Sequence, residues 1–215
     1  KKKEKLNYQS DKNLQLISLD KIRNNEENLA AELEINNKKR NEIAKAVKKA
    51  IENEIKALEK LKKAKFALTP EGIAISKNFN KNKGRLIWPV ERGEITSKYG
   101  RHQHHLVTTA FVDNNGVDIT TSKNANVRAV FEGKVTSVLI IPGAGRVVMV
   151  SHGEYRTVYA NLQEVYVKKG DYVKPKDKLG KLLAKESGIS ESHFEIWRIL
   201  ASGMSTVNPS FWLSK

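Results

Sequence analysis

The sequence changes character near residue 86, and this change limits the possible folds more than any other feature. Residues 1–65 contain neither Gly nor Pro and are rich in Lys, Glu, Ala, Leu and Ile, as long helices are. From Leu86 onward, short β-branched runs are bounded by Gly or Pro, which is typical of antiparallel strands. The runs are residues 127–131, 133–141, 146–151, 157–159, 165–167 and 178–183. The sequence therefore predicts a helical arm over 1–65 and an all-β antiparallel sandwich or barrel-like domain over 86–215.

The apolar residues of the arm recur at steps of three, four and seven, which places them on one stripe of a helix. They are Ile22, Leu29, Leu33, Ile43, Val47, Ile51, Ile55, Leu58 and Leu61. Asn36 and Arg40 interrupt the stripe. Because the stripe is narrow and the helix highly charged, the pattern predicts a coiled-coil arm, paired within a hairpin or with another chain. The alternative is one amphipathic helix docked on its own domain.

Residues 66–85 form a connector with a short helix of its own. Thr69 is the expected N-cap, Pro70 suits the first helical position, and Glu71 places an acid in the first turn. The apolar residues of this helix are Ile73, Ile75 and Phe79. The connector then turns polar and Lys-rich before the first strand.

The net charge of +15 comes mostly from the arm and connector, where 22 Lys and Arg face 12 Asp and Glu over residues 1–85. The basic residues are interleaved with acids at helical spacing and accompany no recognition motif, so we expect a solvated helix surface and no nucleic-acid partner. Cysteine is absent, which excludes disulfides and thiolate metal sites. No apolar run approaches 18 residues, and the Lys-rich first residues lack the apolar segment of a signal peptide.

Ten ordered segments of residues 86–213 resemble the lysostaphin/LytM-type zinc endopeptidases, which cut peptide cross-links in bacterial cell walls. They are residues 88–90 (WPV), 95–101 (ITSKYGR), 116–119 (GVDI), 127–135 (VRAVFEGKV), 148–153 (VMVSHG), 159–162 (YANL), 167–173 (VKKGDYV), 179–180 (LG), 193–196 (HFEI) and 208–209 (NP). Any one segment is only weakly specific for this family, but ten segments in the same order are a specific signal. The resemblance implies a LytM-type β domain with a groove for an extended peptide.

Active members of this family bind zinc through the His and Asp of an H-x-G-[IV]-D segment and the second His of an H-x-H segment. Two more His, from a Y-x-H-L segment and the first position of H-x-H, assist catalysis. By this resemblance Asp118 and His193 are vestigial ligands, and Asn115 takes the first ligand position. The assisting positions carry Asn161 and Glu191.

These replacements are expected to abolish catalysis. Catalytic zinc normally has three N, S or carboxylate ligands and one open position, and a carboxamide is a weak substitute. General acid–base assistance is commonly worth about 10² to 10⁴-fold, and both assisting imidazoles are replaced. We therefore expect no catalytic residues, no bound metal and no other cofactor.

Three further imidazoles, His102, His104 and His105, lie in one short segment. The family often has an Arg-x-His-Pro pattern near this point, so the resemblance places these residues at the rim of the groove. Two alternatives are a metal-binding surface cluster and a rebuilt catalytic site.

A helical arm joined to a degenerate domain of this type closely resembles the EnvC-like murein hydrolase activators. Those proteins lie outside the inner membrane, are tied by their coiled coil to a division-associated ABC-type complex, and switch on zinc amidases. The resemblance implies a periplasmic, non-catalytic activator whose groove binds an inhibitory element of the amidase. The expected groove and rim residues are Tyr99, Arg101, His102, His104, His105, Asn115, Asp118, Tyr159, Asn161, Glu191 and His193.

A second hypothesis concerns regulation. The connector helix, through Ile73, Ile75 and Phe79, is a candidate autoinhibitory segment that folds into the same groove. Three alternatives to the activator remain: a zinc-dependent peptidoglycan endopeptidase with an altered metal site, a peptidoglycan-binding module, and a purely structural coiled-coil scaffold.

Overall fold

Two helices precede a β domain in the structure, a computed structural model that describes residues 2–62, 69–103 and 110–215. The helices are α1 (Lys2–Lys62) and α2 (Pro70–Lys81), and side chains of α1 are described over residues 27–57 and at residue 59. The strands are β1 (Glu94–Ser97), β2 (Gly100–Gln103), β3 (Phe111–Asn114), β4 (Val117–Ser122), β5 (Asn126–Arg128), β6 (Gly133–Ile141), β7 (Gly145–His152), β8 (Tyr155–Val165), β9 (Tyr172–Val173), β10 (Lys178–Leu182), β11 (Ile189–Leu200) and β12 (Gly203–Val207). A 3₁₀ turn, Pro209–Phe211, follows β12.

Ten of the strands form one antiparallel sheet, as the β-branched runs predict. Its main path has the order β1-β4-β11-β8-β7-β6-β9, while β10 pairs with β5 and β8, and β12 pairs with β11. Strands β2 and β3 form a separate two-stranded sheet. The predicted runs 133–141 and 146–151 are the two strands of the β6–β7 hairpin, in which Ile141 pairs with Gly145. The described domain is therefore mostly antiparallel β-structure.

The central strands are apolar on both faces of the sheet, because alternate residues point to opposite sides. One face, which we call the core face, carries Val148 and Val150 of β7 and Phe194 of β11. The opposite face carries Val147 and Met149 of β7. We call it the site face, because Asp118 and His193 lie on it by the same alternation. Two apolar faces require a cover on each side.

Helix α1 is the cover of the site face. Its residues Ile43, Val47 and Ile51 are almost completely buried against the apolar side chains of this face. Those side chains are Ile141, Ala144, Val147, Met149, Val158, Ala160, Trp197 and Ile199. Over this part, α1 is thus an amphipathic helix docked on its own domain. Pairing of the arm as a coiled coil stays a prediction, and the side chains of Ile22, Leu58 and Leu61 lie outside the described residues.

Helix α2 is present in the connector and packs on the core side, away from the site face. Thr69 caps it by accepting a hydrogen bond from the Gly72 backbone N–H at 3.1 Å. Phe79 is completely buried between aromatic rings, with centroid distances of 4.8 to 5.4 Å. Those rings belong to Phe131, His152, Tyr155 and Trp212. A Cβ at Gly153 would overlap the carbonyl oxygen of Gly72, so the β7–β8 turn needs glycine to receive this helix.

Among the described residues, no helix is both long enough and apolar enough to cross a bilayer.

Candidate functional site

The site is centred on a direct contact between Asp118 of β4 and His193 of β11. The two residues are register partners on adjacent antiparallel strands, and both are buried. His193 Nδ1 donates to Asp118 Oδ1 at 2.6 Å, and His193 Nε2 donates to Glu195 Oε1 at 2.9 Å. Glu195 also accepts a hydrogen bond from Trp197 Nε1 at 2.6 Å. The imidazole is therefore held on both sides by carboxylates.

Protonation of His193 follows from these partners. Burial alone would lower its pKa, but the hydrogen bonds and charges of Asp118 and Glu195 outweigh burial and raise the pKa to about 10. Burial raises the pKa of Asp118, whereas His193 and then Arg40 lower it more, to about 2. At neutral pH the site thus holds an imidazolium between two carboxylates.

The remaining oxygen of Asp118 is bound by a residue from the arm. Arg40 of α1 donates to Asp118 Oδ2 through Nη2 at 2.6 Å and through Nε at 3.1 Å. Asn37, one turn earlier, accepts from Arg40 Nη1 at 3.2 Å and donates to the Phe111 carbonyl at 3.0 Å. A guanidinium therefore neutralises the carboxylate that the resemblance assigns as a vestigial metal ligand.

The first ligand position is occupied by Asn114, and its assignment to Asn115 is wrong. Asn114 is buried and its Nδ2 lies 3.3 Å from Asp118 Oδ2 and 3.1 Å from Ser97 Oγ. The Asn114 Oδ1 accepts from the Gly116 N–H at 2.9 Å, while Asn115 is half-buried and does not line the site cavity. The spacing of H-x-G-[IV]-D itself counts four residues back from Asp118, to 114. Gly116 is required because an added Cβ would overlap the Phe194 carbonyl.

The two positions that the resemblance assigns to assisting residues, Asn161 and Glu191, both line the site cavity. Asn161 has a left-handed backbone (φ 64°), and its Nδ2 donates to the Glu191 carbonyl at 3.2 Å. The Glu191 carboxylate is paired with Lys185 Nζ at 3.0 Å. One oxygen of this carboxylate, Oε2, therefore binds a cation that is not part of the Asp118–His193 pair.

A cavity of about 220 Å³ lies between α1 and these residues. From the sheet side Asp118, Asn161, Glu191 and His193 line it. From the helix side Asn36, Lys39, Arg40 and Ile43 line it. Asn36 and Arg40, the two residues that interrupt the apolar stripe, therefore face the polar part of the site.

Several predicted groove residues lie elsewhere. Tyr159 points to the core face and is fully buried, where its hydroxyl accepts from the Val130 N–H at 3.0 Å; its assignment to the groove is wrong. Tyr99 contacts β12 instead, through a hydroxyl bond to the Thr206 carbonyl at 3.1 Å. Register explains the position of Tyr159, because a one-residue step along a strand reverses the side-chain direction.

The predicted rim residues are described only in part. Arg101 is exposed, with its guanidinium carbon 4.9 Å from the centroid of the Phe111 ring. His102 lines a second cavity beside α1 and contacts the Gly100 carbonyl at 3.1 Å. His104 and His105 lie outside the described residues.

The predicted autoinhibitory residues are not at the site in this structure. Phe79 is in the aromatic cluster, Ile73 is exposed, and Ile75 is half-buried on the same core-side helix. The helix that lies on the site face is α1. Sequence reasoning missed Arg40 as its contact residue, although the interruption of the stripe at that position was a usable signal.

The donor set does not fit a catalytic zinc ion. Asp118 and Glu195 lie on opposite edges of the His193 ring, so the three groups form a row and do not converge on one point. The position of the third ligand offers the carboxamide of Asn114, and a guanidinium already binds Asp118. Within residues 2–62, 69–103 and 110–215, no three His, Cys, Asp or Glu side chains are grouped as a metal site.

Comparison with known proteins identifies the type of domain. Residues 112–209 match the family model of Peptidase family M23, so this mostly antiparallel β domain is of the M23, or LytM, type. The matched region includes Asn114, Asp118, Asn161, Glu191 and His193 and excludes α1 and α2.

Curated relatives with this domain include hydrolases. The chain is 35% identical over 119 residues to an uncharacterized metalloprotease of Haemophilus influenzae. It is 33% identical over 131 residues to the peptidoglycan DD-endopeptidase ShyB of Vibrio cholerae. These matches cover 53% and 58% of this chain but only 25% and 29% of the two relatives.

Solved structures show a similar partial overlap. Helicobacter pylori Csd3, in its orthorhombic crystal, is 24% identical with a TM-score of 0.49, over 60% of this chain and 35% of that one. A chain of the SpoIIQ–SpoIIIAH pore-forming complex is 25% identical with a TM-score of 0.48, over 62% of this chain and 93% of that one.

Proposed function

We propose that this chain is a non-catalytic M23-type regulator that activates a cell-wall amidase outside the cytoplasm during cell separation. One observation carries the proposal: the Arg40 guanidinium is bonded to Asp118 at the position where an active member of the family would hold zinc. A cation supplied by the chain itself replaces the metal electrostatically, but it has no open coordination position and cannot activate water.

The side chains around this contact also argue against hydrolysis. The ligand position carries Asn114, and the two assisting positions carry Asn161 and Glu191. His193 donates from both ring nitrogens and is therefore not available as a base in this arrangement, and Glu191 is paired with Lys185.

A preserved groove without catalytic groups suits the binding of a partner helix. The site face presents the apolar residues Val147, Met149, Val158 and Trp197, and a helix already packs on them. In the proposed mechanism this face captures the inhibitory helix of an amidase, and capture frees the amidase active site.

Helix α1 is then the resting occupant of the groove. This replaces the hypothesis that α2 is autoinhibitory, because Phe79 is committed to the aromatic cluster. In the proposal, a membrane complex of ABC type acts on the arm and shifts the equilibrium from a docked to a released α1. Release needs an effector with differential affinity for the two states.

A zinc-dependent endopeptidase with an altered site is the second candidate. It is favoured by the relative named a peptidoglycan DD-endopeptidase, which is 33% identical over 131 residues. This function would require the salt bridge between Asp118 and Arg40 to break, and a further residue to bind zinc together with Asp118.

Two measurements on the same sample separate these functions. Zinc is titrated into the chain by calorimetry, and muropeptide release from purified peptidoglycan is measured with the chain alone, a candidate amidase alone, and both. We expect no tight zinc site, no release by the chain alone, and release above the amidase level with both proteins. One zinc bound per chain together with cleavage by the chain alone would establish the endopeptidase instead. Retention on insoluble peptidoglycan without stimulation would indicate a wall-binding module.

A further inference from the structure

We infer that Asp118 and Arg156 are a pair of charge sockets that set the direction and register of any helix bound to the site face. The partner helix would carry a cation, three apolar residues and an acid in the order Arg/Lys-x₂-apolar-x₃-apolar-x₃-apolar-x₂-Asp/Glu. This rests on the proposed function only in assuming that a partner helix takes the place of α1.

The contacts of α1 define the pattern. Arg40 binds Asp118, and fourteen residues later Glu54 binds Arg156, through Oε1 to Nη2 at 2.6 Å and Oε2 to Nε at 3.2 Å. A helix rises 1.5 Å per residue, so the two charges are about 21 Å apart along one side of α1. Between them lie Ile43, Val47 and Ile51, the most deeply buried residues of the helix.

The spacing of the three most buried apolar residues does not by itself determine the direction of a bound helix. Counted from Arg40 to Glu54, the steps through the apolar residues are three, four, four and three. This spacing is the same when read from either end. The charges at the two ends therefore add a direction that the spacing of these three residues lacks.

Both sockets are buried, so pairing or mispairing a charge there has a large effect on the free energy of binding. The side chains of Asp118 and Arg156 are each 2% exposed. Arg156 uses Nη1 for the carbonyls of Gly153 and Tyr155, which leaves Nε and Nη2 for the incoming carboxylate. A reversed helix would place like charges together at both ends, and a buried charge without its partner is strongly destabilising.

An exposed ion pair on α1 does not share this property. Lys38 and Glu34 form a pair at 2.8 Å whose side chains are 72% and 68% exposed. Such pairs contribute little, because water solvates both partners and salt screens them. This pair is therefore a matched control on the same helix.

The first test uses this chain alone. Arg40→Glu with Glu54→Arg exchanges the socket charges, and Glu34→Lys with Lys38→Glu exchanges the exposed pair; neither changes composition or the apolar residues. Hydrogen exchange is measured for residues 41–53, with β7 and β8 as internal reference. We expect exchange at least about tenfold faster in the first variant and unchanged in the second. Equal protection in both variants overturns the inference.

The second test keeps the native chain, so it stands even if the exchanged variant misfolds. Fluorescent peptides of residues 36–57, native or with the two socket charges exchanged, compete with α1 for the site face. We expect the native peptide to bind the native chain at least about tenfold more tightly than the exchanged peptide does. On the Asp118→Asn variant of the chain, the difference between the two peptides should be smaller. Equal binding of the two peptides overturns the inference. Neither test contains an amidase, so failure of the proposed function would appear separately, as absence of stimulated release.

Discussion

Arg40 and Asp118, separated by 78 residues in sequence, form a salt bridge at 2.6 Å that joins the arm to the site around Asp118 and His193. The carboxylate is buried, and its other oxygen is bound to His193. The same contact thus holds α1 on the site face and places a cation beside the Asp118 carboxylate. The predictions below separate these two consequences.

Removing the guanidinium should weaken the docking of α1. For Arg40→Met we expect the free energy of unfolding to fall by about 1–3 kcal/mol, less than for a fully uncompensated buried charge, because His193 remains bonded to Asp118. Chemical denaturation of this variant and of Lys38→Met measures the difference. The exposed Lys38 should show no measurable effect, and an equal loss in both variants would contradict the assigned role of Arg40.

Releasing the arm should activate the proposed regulator. Val47 is completely buried under α1 against the sheet, so Val47→Asp would place a charge in an apolar contact and favour release. We expect more amidase-dependent muropeptide release from this variant than from the native chain. The control is Lys48→Asp, at the adjacent exposed position. Unchanged release with Val47→Asp, despite rapid hydrogen exchange in α1, would show that α1 does not block the groove.

Restoring an imidazole at the ligand position tests the register of the site. In an Arg40→Met background, Asn114→His should bind zinc at least about tenfold more tightly than Asn115→His, because Asn114 contacts Asp118 and Asn115 does not line the cavity. Calorimetry with zinc compares the two variants. Tighter binding by Asn115→His would restore the original assignment.

Stability should pass through a maximum near pH 6.5. The pKa of His193 is raised from 6.5 to about 10, so its contribution is complete below pH 6.5 and is lost as the pH rises from 6.5 to 10. Burial lowers the pKa of His152 from 6.5 to about 3, so the folded state loses stability as the pH falls from 6.5 to 3. The pKa of Asp118, about 2 against an ordinary 3.8, adds a further loss between pH 3.8 and 2.

Melting temperatures between pH 3 and 10 measure this profile. His193→Gln should flatten the alkaline side, and His152→Gln should flatten the acid side. A profile unchanged by either substitution would mean that these two groups titrate similarly in the folded and unfolded states.

Helix α2 should be a structural element of the domain. Phe79→Ala would leave a cavity among Phe131, His152, Tyr155 and Trp212, and we expect a loss of about 3–5 kcal/mol in the free energy of unfolding. The protection of α1 relative to the sheet should not change. Deletion of residues 66–80 that raised amidase stimulation while leaving the domain fully stable would return α2 to an autoinhibitory role.

Much of the local structure followed from the sequence. Apolar periodicity predicted a helix through Val47 and Ile51, and Thr69-Pro70 predicted the start of α2. The β-branched runs bounded by Gly or Pro predicted the antiparallel strands, including β6 and β7. These features depend on residues close together in the chain, whose spacing and capping chemistry can be read directly.

Tertiary structure decided what each helix covers and which site residue faces which. The apolar stripe of α1 must be buried against a partner. Its pattern fits another helix and the sheet of its own domain equally well, so the sequence alone does not decide between them. The choice depends on the apolar site face and on two long-range pairs, Arg40 with Asp118 and Glu54 with Arg156. Asn114 rather than Asn115 faces Asp118 because a one-residue step in register reverses a side chain. Sequence thus determined the elements and the residue types at the site, while long-range packing determined that the arm lies over it.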